Sequence, residues 1–214
     1  MNEIYFPSCN FNKASPEAAK RLRAYWKEKM PVAGCCRYDN TPWETGSIGL
    51  YFCQACRETL ESNPDNVLLL ENLFVWLDRQ TDFPWPDYHG LVVNVQDCWR
   101  DRAHPEIFDA DRSTLKKMGV TILELEENRE KSTFCGNLHF EPKRPENIDF
   151  LAKHPGMPLY QFSEEEQRRL MAEQVETYTA PLTVTYCNRC TSGIILGGGK
   201  GVHLMELCMG TFSD

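Results

Sequence analysis

Short apolar runs alternate along this chain with stretches in which apolar residues recur every three or four positions, a pattern of strands feeding helices. Residues 3–6 read as a short buried strand that delivers Cys9 at its carboxyl end. Ser15-Pro16-Glu17 marks a helix start, with serine at the cap and proline at the first position. Ala18, Leu22, Tyr25 and Trp26 give that helix an apolar stripe, which stops before Pro31. A loop rich in Asp, Asn, Pro and Gly follows Cys35 and Cys36. A second strand is predicted over 48–52, running into Cys53-Gln-Ala-Cys56 and a helix over 57–61. A third strand over 66–70 and a helix over 71–79 complete the unit, and the Pro- and aromatic-rich stretch 82–88 reads as a stiff linker.

The order then repeats. Residues 91–95 form a strand ending at Asp97-Cys98, 105–118 a helix, 120–125 a strand, and 182–186 a strand that enters Cys187-Asn-Arg-Cys190. Residues 201–207 parallel 66–73 at nearly the same distance from the preceding CxxC, 11 residues for Val67 and 12 for Val202. The predicted fold class is therefore α/β: two pseudo-duplicated α/β units with short parallel strands and thiol clusters at the strand carboxyl ends. The first unit covers 1–81, the linker 82–89 and the second unit 90–214, with an inserted loop and charged helix at about 140–179.

Composition sharpens this picture in two ways. Ten cysteines in 214 residues are more than an ordinary core needs. The chain start has no basic segment, apolar run and small-residue cleavage site, and no apolar run approaches the about 20 residues that span a bilayer. The expectation is a cytoplasmic protein with no membrane span, in which clustered cysteines are metal ligands or redox thiols rather than disulfide staples. The formal net charge of −8 opposes any general affinity for nucleic acid. The acidic and basic residues from Glu164 to Arg169 read as a solvated helix face.

CxxC alone is shared by zinc sites, dithiol oxidoreductases and iron–sulfur proteins. The fuller pattern says more. Cys9, Cys35, Cys36, Cys53 and Cys56 put five thiols in the first half, one more than tetrahedral zinc uses. A lone dithiol explains neither Cys9 nor the adjacent pair, whose side chains point in different directions and suit two metals of one cluster. A strand entering a helix at CxxC also offers free N–H groups and a positive dipole end to thiolates. The five-thiol set favours a multinuclear iron–sulfur site.

The order Cys, long gap, Cys-Cys, gap, Cys-x-x-Cys, given twice, resembles the cysteine-rich CCG domain of the B subunit of heterodisulfide reductase, also found in iron–sulfur subunits of glycolate, lactate and glycerol-3-phosphate oxidising systems. The resemblance covers Cys9 to Glu206 except the insert, with Arg37 where the family usually has glycine. It implies a noncubane [4Fe-4S] cluster on Cys9, Cys35, Cys36, Cys53 and Cys56, with one thiolate bridging two irons. In the second half Phe134 replaces one cysteine and leaves Cys98, Cys135, Cys187 and Cys190, which fit zinc, a cubane cluster or a noncubane variant. His139 is weighed as a fifth ligand against an ordinary imidazole, and Cys208 reads as a buried helix residue. Gly197-Gly-Gly-Lys-Gly201 lacks the Ser or Thr of a phosphate loop and reads as a turn. Trp43 and Trp99 read as core or lid residues near the ligand cysteines.

These readings lead to an iron–sulfur redox subunit that passes electrons to a small thiol or disulfide substrate, as the resemblance implies. The chain carries no flavin or nicotinamide fingerprint and no ferredoxin CxxCxxCxxxC run, so the expected donor is a ferredoxin- or flavin-containing protein subunit. The alternatives are a non-enzymatic zinc-binding scaffold or sensor, and a metal-free dithiol reductase using Cys53 and Cys56.

Overall fold

Seven short strands, all paired in parallel, make two sheets in the computed structural model, which describes residues 2–212. The first sheet holds β1 (Glu3–Tyr5), β2 (Ile48–Tyr51) and β3 (Leu69–Asn72) in the order β1-β2-β3. The second holds β4 (Val92–Val95), β5 (Thr121–Leu123), β6 (Thr183–Thr185) and β7 (Gly201–His203) in the order β5-β4-β6-β7. Parallel strands need covered faces, and here helices cover them. These are α1 (Cys9–Ala14), α2 (Pro16–Lys27), α3 (Gln54–Glu61) and α4 (Leu73–Asp78) in the first half. In the second half they are α5 (Pro105–Lys117), α6 (Pro145–Ala152), α7 (Glu164–Val175), α8 (Asn188–Leu196) and α9 (Leu204–Cys208). The predicted α/β class is the observed one.

The halves share one strand plan. β1, β2 and β3 correspond to β4, β6 and β7. On the free edge of β1, where β5 lies against β4, Val32 makes a single parallel bridge to Tyr5, with Tyr5 N–H donating to Pro31 O at 2.9 Å. Helix ends are tied across the halves in the same sense. Arg21 of α2 donates to the Met209 and Gly210 carbonyls after α9, each at 3.2 Å, and Lys117 of α5 donates to the Asp78 carboxylate at the end of α4 at 2.7 Å. One hydrophobic core runs through both halves, from Tyr5, Trp26 and Phe74 to Phe108, Val184 and Leu207. The stretch predicted as a linker has no helix or strand. Its Phe83 is buried in this core, with its ring centroid 5.3 Å from that of Tyr25.

Several boundaries differ from the sequence reading for local reasons. The third strand forms at Leu69–Asn72 rather than over 66–70, because the Asn66 side chain accepts from Leu68 N at 3.2 Å and closes a turn instead. Asn72 then caps α4, its Oδ1 accepting from Phe74 N at 2.8 Å. Its counterpart is His203, whose Nδ1 accepts from Met205 N at 3.1 Å and caps α9. The two repeats therefore match through Asn72 and His203, not through Val67 and Val202, and Cys208 stands opposite Leu77. Two short helices are not predicted: α1 lies where the pattern predicts no element and α6 in the predicted loop of the insert. Ser8 caps the first, accepting from Phe11 N at 3.1 Å, and Pro145 opens the second.

The insert belongs to the core. Ser163 and Glu166 close a capping box on α7, whose Leu170 and Met171 are fully buried. Buried Glu173 accepts from Asn147 Nδ2 at 2.7 Å and Arg144 N at 2.9 Å, which ties α6 to α7. Gly197 lets α8 pass α7, since a Cβ there would lie 2.6 Å from the Met171 backbone; the glycine run is thus a turn held tightly in place.

Candidate metal centre

Both CxxC segments open a helix in the same way. Cys53 is the N-cap of α3 and Cys187 the N-cap of α8, each in extended conformation at the end of a buried strand. Both residues thus stand at the end of a helix where N–H groups are free and the dipole is positive, although neither side chain caps its helix. Cys98 likewise caps a single 3₁₀ turn, Trp99–Asp101, after β4.

In the second half this architecture brings four thiols together. The sulfurs of Cys98, Cys135, Cys187 and Cys190 all lie within 4.8 Å of one another, and all four residues are buried. Cys98 Sγ is 3.5 Å from Cys135 Sγ, which is 4.0 Å from Cys187 Sγ. Among the described residues no other group of three or more His, Cys, Asp or Glu side chains is gathered for a single ion. The four thiols interact mutually, and those of Cys187, Cys190 and Cys98 hold Cys135 far below the ordinary thiol range. Cys98 and Cys190 are pushed well above that range by complete burial. Four sulfurs packed this closely in a dry site are a poor arrangement without a cation between them. A cation that takes all four as thiolates satisfies it, with release of the protons. The four cysteines are thus placed to hold a metal.

The approach of Cys135 to α8 depends on two glycines. Gly136 has φ of +55°, and a Cβ on it would lie 2.1 Å from the Arg189 carbonyl oxygen. A Cβ on Gly193 would lie 2.4 Å from the Gly136 Cα. Gly136→Ala is expected to cost more than the about 1–2 kcal/mol of a left-handed alanine, and to weaken metal binding by pushing Cys135 from α8. Urea unfolding and a cobalt titration check this; an unchanged midpoint and affinity would refute it. Gly193 has no signal in the sequence, because only packing brings it against Gly136.

Phe134 closes the site where the sequence lacks a fifth cysteine. Its buried ring packs edge-on to Phe140, and its carbonyl lies 3.7 Å from Cys190 Sγ. His139 does not join the thiols. Its ring stacks on Trp99 at 3.9 Å and its Nε2 pairs with Glu141 at 3.1 Å. Cys208 is buried in α9 outside the group, and burial pushes its thiol up. Trp43 packs beside Ile4, Phe6 and Leu68, with its Nε1 donating to Asp39 at 2.7 Å.

The five first-half cysteines form a looser, more open set. Cys53 and Cys56 are buried, Cys35 and Cys36 half-buried, and Cys9 exposed. Cys36 packs against Cys53 and Cys56. The Cys56 thiol lowers both neighbours, Cys53 to about 6 and Cys36 to about 7, and is itself raised by them. Desolvation and then the neighbouring Cys35 thiol push Cys9 up to about 11. Asn10, next to Cys9, lies 3.8 Å from Cys53 Sγ through its amide nitrogen. None of the five belongs to the four-thiol group.

Buried carboxylates flank Cys98 on both sides, and one of them, Asp101, joins the two thiol sets. Asp101, three residues after Cys98 and fully buried, accepts from Gln54 Nε2 at 2.7 Å and from the Arg57 guanidinium, both on α3. Burial raises its carboxyl to about 6 against the pull of Arg57. Asp97, beside Cys98, takes a two-pronged bond from Arg112 at 2.8 and 3.0 Å. His203 lies between the halves, its ring 4.7 Å from Phe11 and 5.8 Å from Phe52; burial drives it down to about 4 and keeps it neutral.

No protein-family model matches the chain, and no curated protein or solved structure matches it. Among the described residues, no helix is long and apolar enough to cross a membrane.

Proposed function

We propose that the protein is a thiolate metalloprotein with two centres of different kind. Cys98, Cys135, Cys187 and Cys190 hold one structural zinc ion. Cys9, Cys35, Cys36, Cys53 and Cys56 hold a multinuclear iron–sulfur cluster, of noncubane [4Fe-4S] type as the likeness to CCG domains implies. The single observation that carries this reading is the contrast between the two thiol sets. Four buried sulfurs within 4.8 Å of one another suit a single ion, since a zinc–sulfur bond of about 2.3 Å gives a tetrahedron with edges of about 3.8 Å. A four-iron core lies between its thiolates and requires them further apart. Phe134 closes this site, as befits a structural centre with no open position. The five-thiol set reaches the surface at Cys9 and includes thiols lowered to about 6 and 7, which suits a reacting centre.

In this reading the protein is a redox subunit. A disulfide takes up two electrons and two protons at the first centre to give two thiols, and the electrons come from a ferredoxin- or flavin-containing partner.

Metal analysis of protein purified without oxygen tests both assignments. The expected content is about one zinc and about four irons with matching acid-labile sulfide per chain. Cys36→Ser is expected to lose most of the iron and sulfide and keep the zinc. Zinc without sulfide would instead make the chain a scaffold or sensor. Full iron in Cys36→Ser would remove the first-half cysteines from the cluster.

A further inference from the structure

Cys98 and Asp101 stand at the two ends of one tight turn. Cys98 caps the 3₁₀ turn Trp99–Asp101, and Asp101 N–H donates back to Cys98 O at 3.0 Å. Trp99 N–H, inside the turn, donates to Phe134 O at 3.0 Å, so the turn is also fastened next to Cys135. At its far end Asp101 grips the first-half CxxC helix at two points that bracket Cys56: Gln54 at 2.7 Å and Arg57 by an ion pair. Arg57 Nη2 also donates to Arg100 O at 2.9 Å, and Arg100 reaches along α3 to Glu58, its Nε 2.7 Å from Oε1. Five side chains thus lock a turn that begins on a ligand of one site to a helix that begins at Cys53 and carries Cys56 of the other.

The corresponding contact on the opposite side is missing. α1, which follows β1 as the turn follows β4, makes no side-chain hydrogen bond to α8 among the described residues. Asn188, which stands in α8 where Gln54 stands in α3, has both polar side-chain atoms buried without a partner. A structural need to join two halves would be served equally on either side. Here the bonds run only from the closed four-thiolate site to the open five-thiol site.

We infer that Asp101 is a positioning residue through which metal in the four-cysteine site orders Cys53 and Cys56 in the other. This rests on the reading of Cys98, Cys135, Cys187 and Cys190 as a zinc site. A metal held by Cys98 pins the start of the turn; Asp101 at its end then holds α3, and with it the two CxxC thiols, in one place. Without metal, Cys98 is free to shift and the grip transmits that freedom. The coupling is reciprocal in free energy, so a filled first site also tightens metal binding in the second.

Site-resolved thiol alkylation tests this on the reduced, metal-free full-length chain, with and without one equivalent of zinc. Iodoacetamide labelling is followed by peptide mass spectrometry. Zinc is expected to protect Cys98, Cys135, Cys187 and Cys190 directly. It is also expected to slow Cys53 and Cys56 by a factor within the roughly 5- to 150-fold range of ordinary site–site coupling. In Asp101→Ala the direct protection stays while Cys53 and Cys56 react at one rate with or without zinc. Gln54→Leu, which leaves the ion pair in place, is expected to lose part of the effect and provides the test if Asp101→Ala does not fold. Circular dichroism and urea unfolding of each variant, with and without zinc, show whether it is folded, so a general loss of stability is told apart from loss of coupling. Equal rates for Cys53 and Cys56 in the wild type while the four are protected would overturn the inference. So would full coupling in both variants. Failure of zinc to protect the four would instead overturn the zinc assignment.

Discussion

Cys135→Ser is expected to strip the metal from the four-thiolate centre and to cost the chain more stability than any other single change, while leaving it folded without denaturant. Cys135 is one of four sulfurs within 4.8 Å of one another, and the one whose segment is held against α8 by a glycine contact, so its loss leaves an incomplete three-thiolate site. Of the three remaining ligands Cys98 follows β4, Cys187 follows β6 and Cys190 lies in α8, and metal adds a bond between these segments and the stretch before α6. The apparent binding free energy of a structural zinc site is about 10–16 kcal/mol, and much of it is folding free energy. The whole stability of a typical domain is about 5–15 kcal/mol, so losing even part of the metal's contribution takes a large share of the chain's stability. Circular dichroism with zinc analysis reads this directly, and a chelator added to the wild type is expected to give the same change. Cys208→Ala is the control, a buried thiol outside the site, with an expected cost of about 1 kcal/mol. If Cys135→Ser melts with Cys208→Ala and retains its metal, the four-cysteine centre is not structural.

Arg112→Met carries the second-largest expected effect. The Arg112 guanidinium lies between two carboxylates, donating to Asp97 at 2.8 and 3.0 Å and to Glu124 at 2.6 and 2.7 Å. Asp97 is fully buried, and besides Arg112 its carboxylate takes a backbone N–H from Arg129 at 2.6 Å. Removing the guanidinium leaves a charge in the core, at an expected cost of about 3–5 kcal/mol. Glu124 is half-exposed and turns to water, so Asp97 accounts for most of that cost. Adding Asp97→Asn to Arg112→Met is expected to recover more than half of the loss, because the pair's burial is costly and an amide needs no counter-charge. Urea unfolding with an unchanged slope measures both variants. A single-variant loss under about 1 kcal/mol would mean that water reaches Asp97. The residue precedes Cys98, so zinc affinity should fall with stability in the single variant and return in the double.

The strands and most helices were legible because their causes are local. Ile4 and Tyr5, the run before Cys53 and the run before Cys98 are short apolar segments, and Ser15-Pro16 marks the helix start seen at α2. The third strand was misplaced for an equally local reason, an Asn66 turn that hydrophobicity does not register. α1 was missed because six residues carry too little periodicity, and its signal was the Ser8 cap. The repeat was legible in its order but not in its register, since the segment between α3 and β3 is longer than that between α8 and β7.

For the site, spacing singled out nine of the ten cysteines and set Cys208 apart, and the two CxxC segments do stand at helix starts after parallel strands. Spacing did not distinguish the compact set from the open one. The four close sulfurs come from three segments separated by tens of residues, and their meeting depends on Gly136 passing Gly193 and on Phe134 filling the remaining space. The same holds for Asp101, an unremarkable acid in the chain that becomes a buried clasp on α3 only when the two halves meet. Local pattern and spacing determined which elements form and which residues offer sulfur, because both depend on neighbours along the chain. The tertiary structure decided how far apart the sulfurs lie and what joins the two sites, because those distances depend on packing between segments remote in sequence.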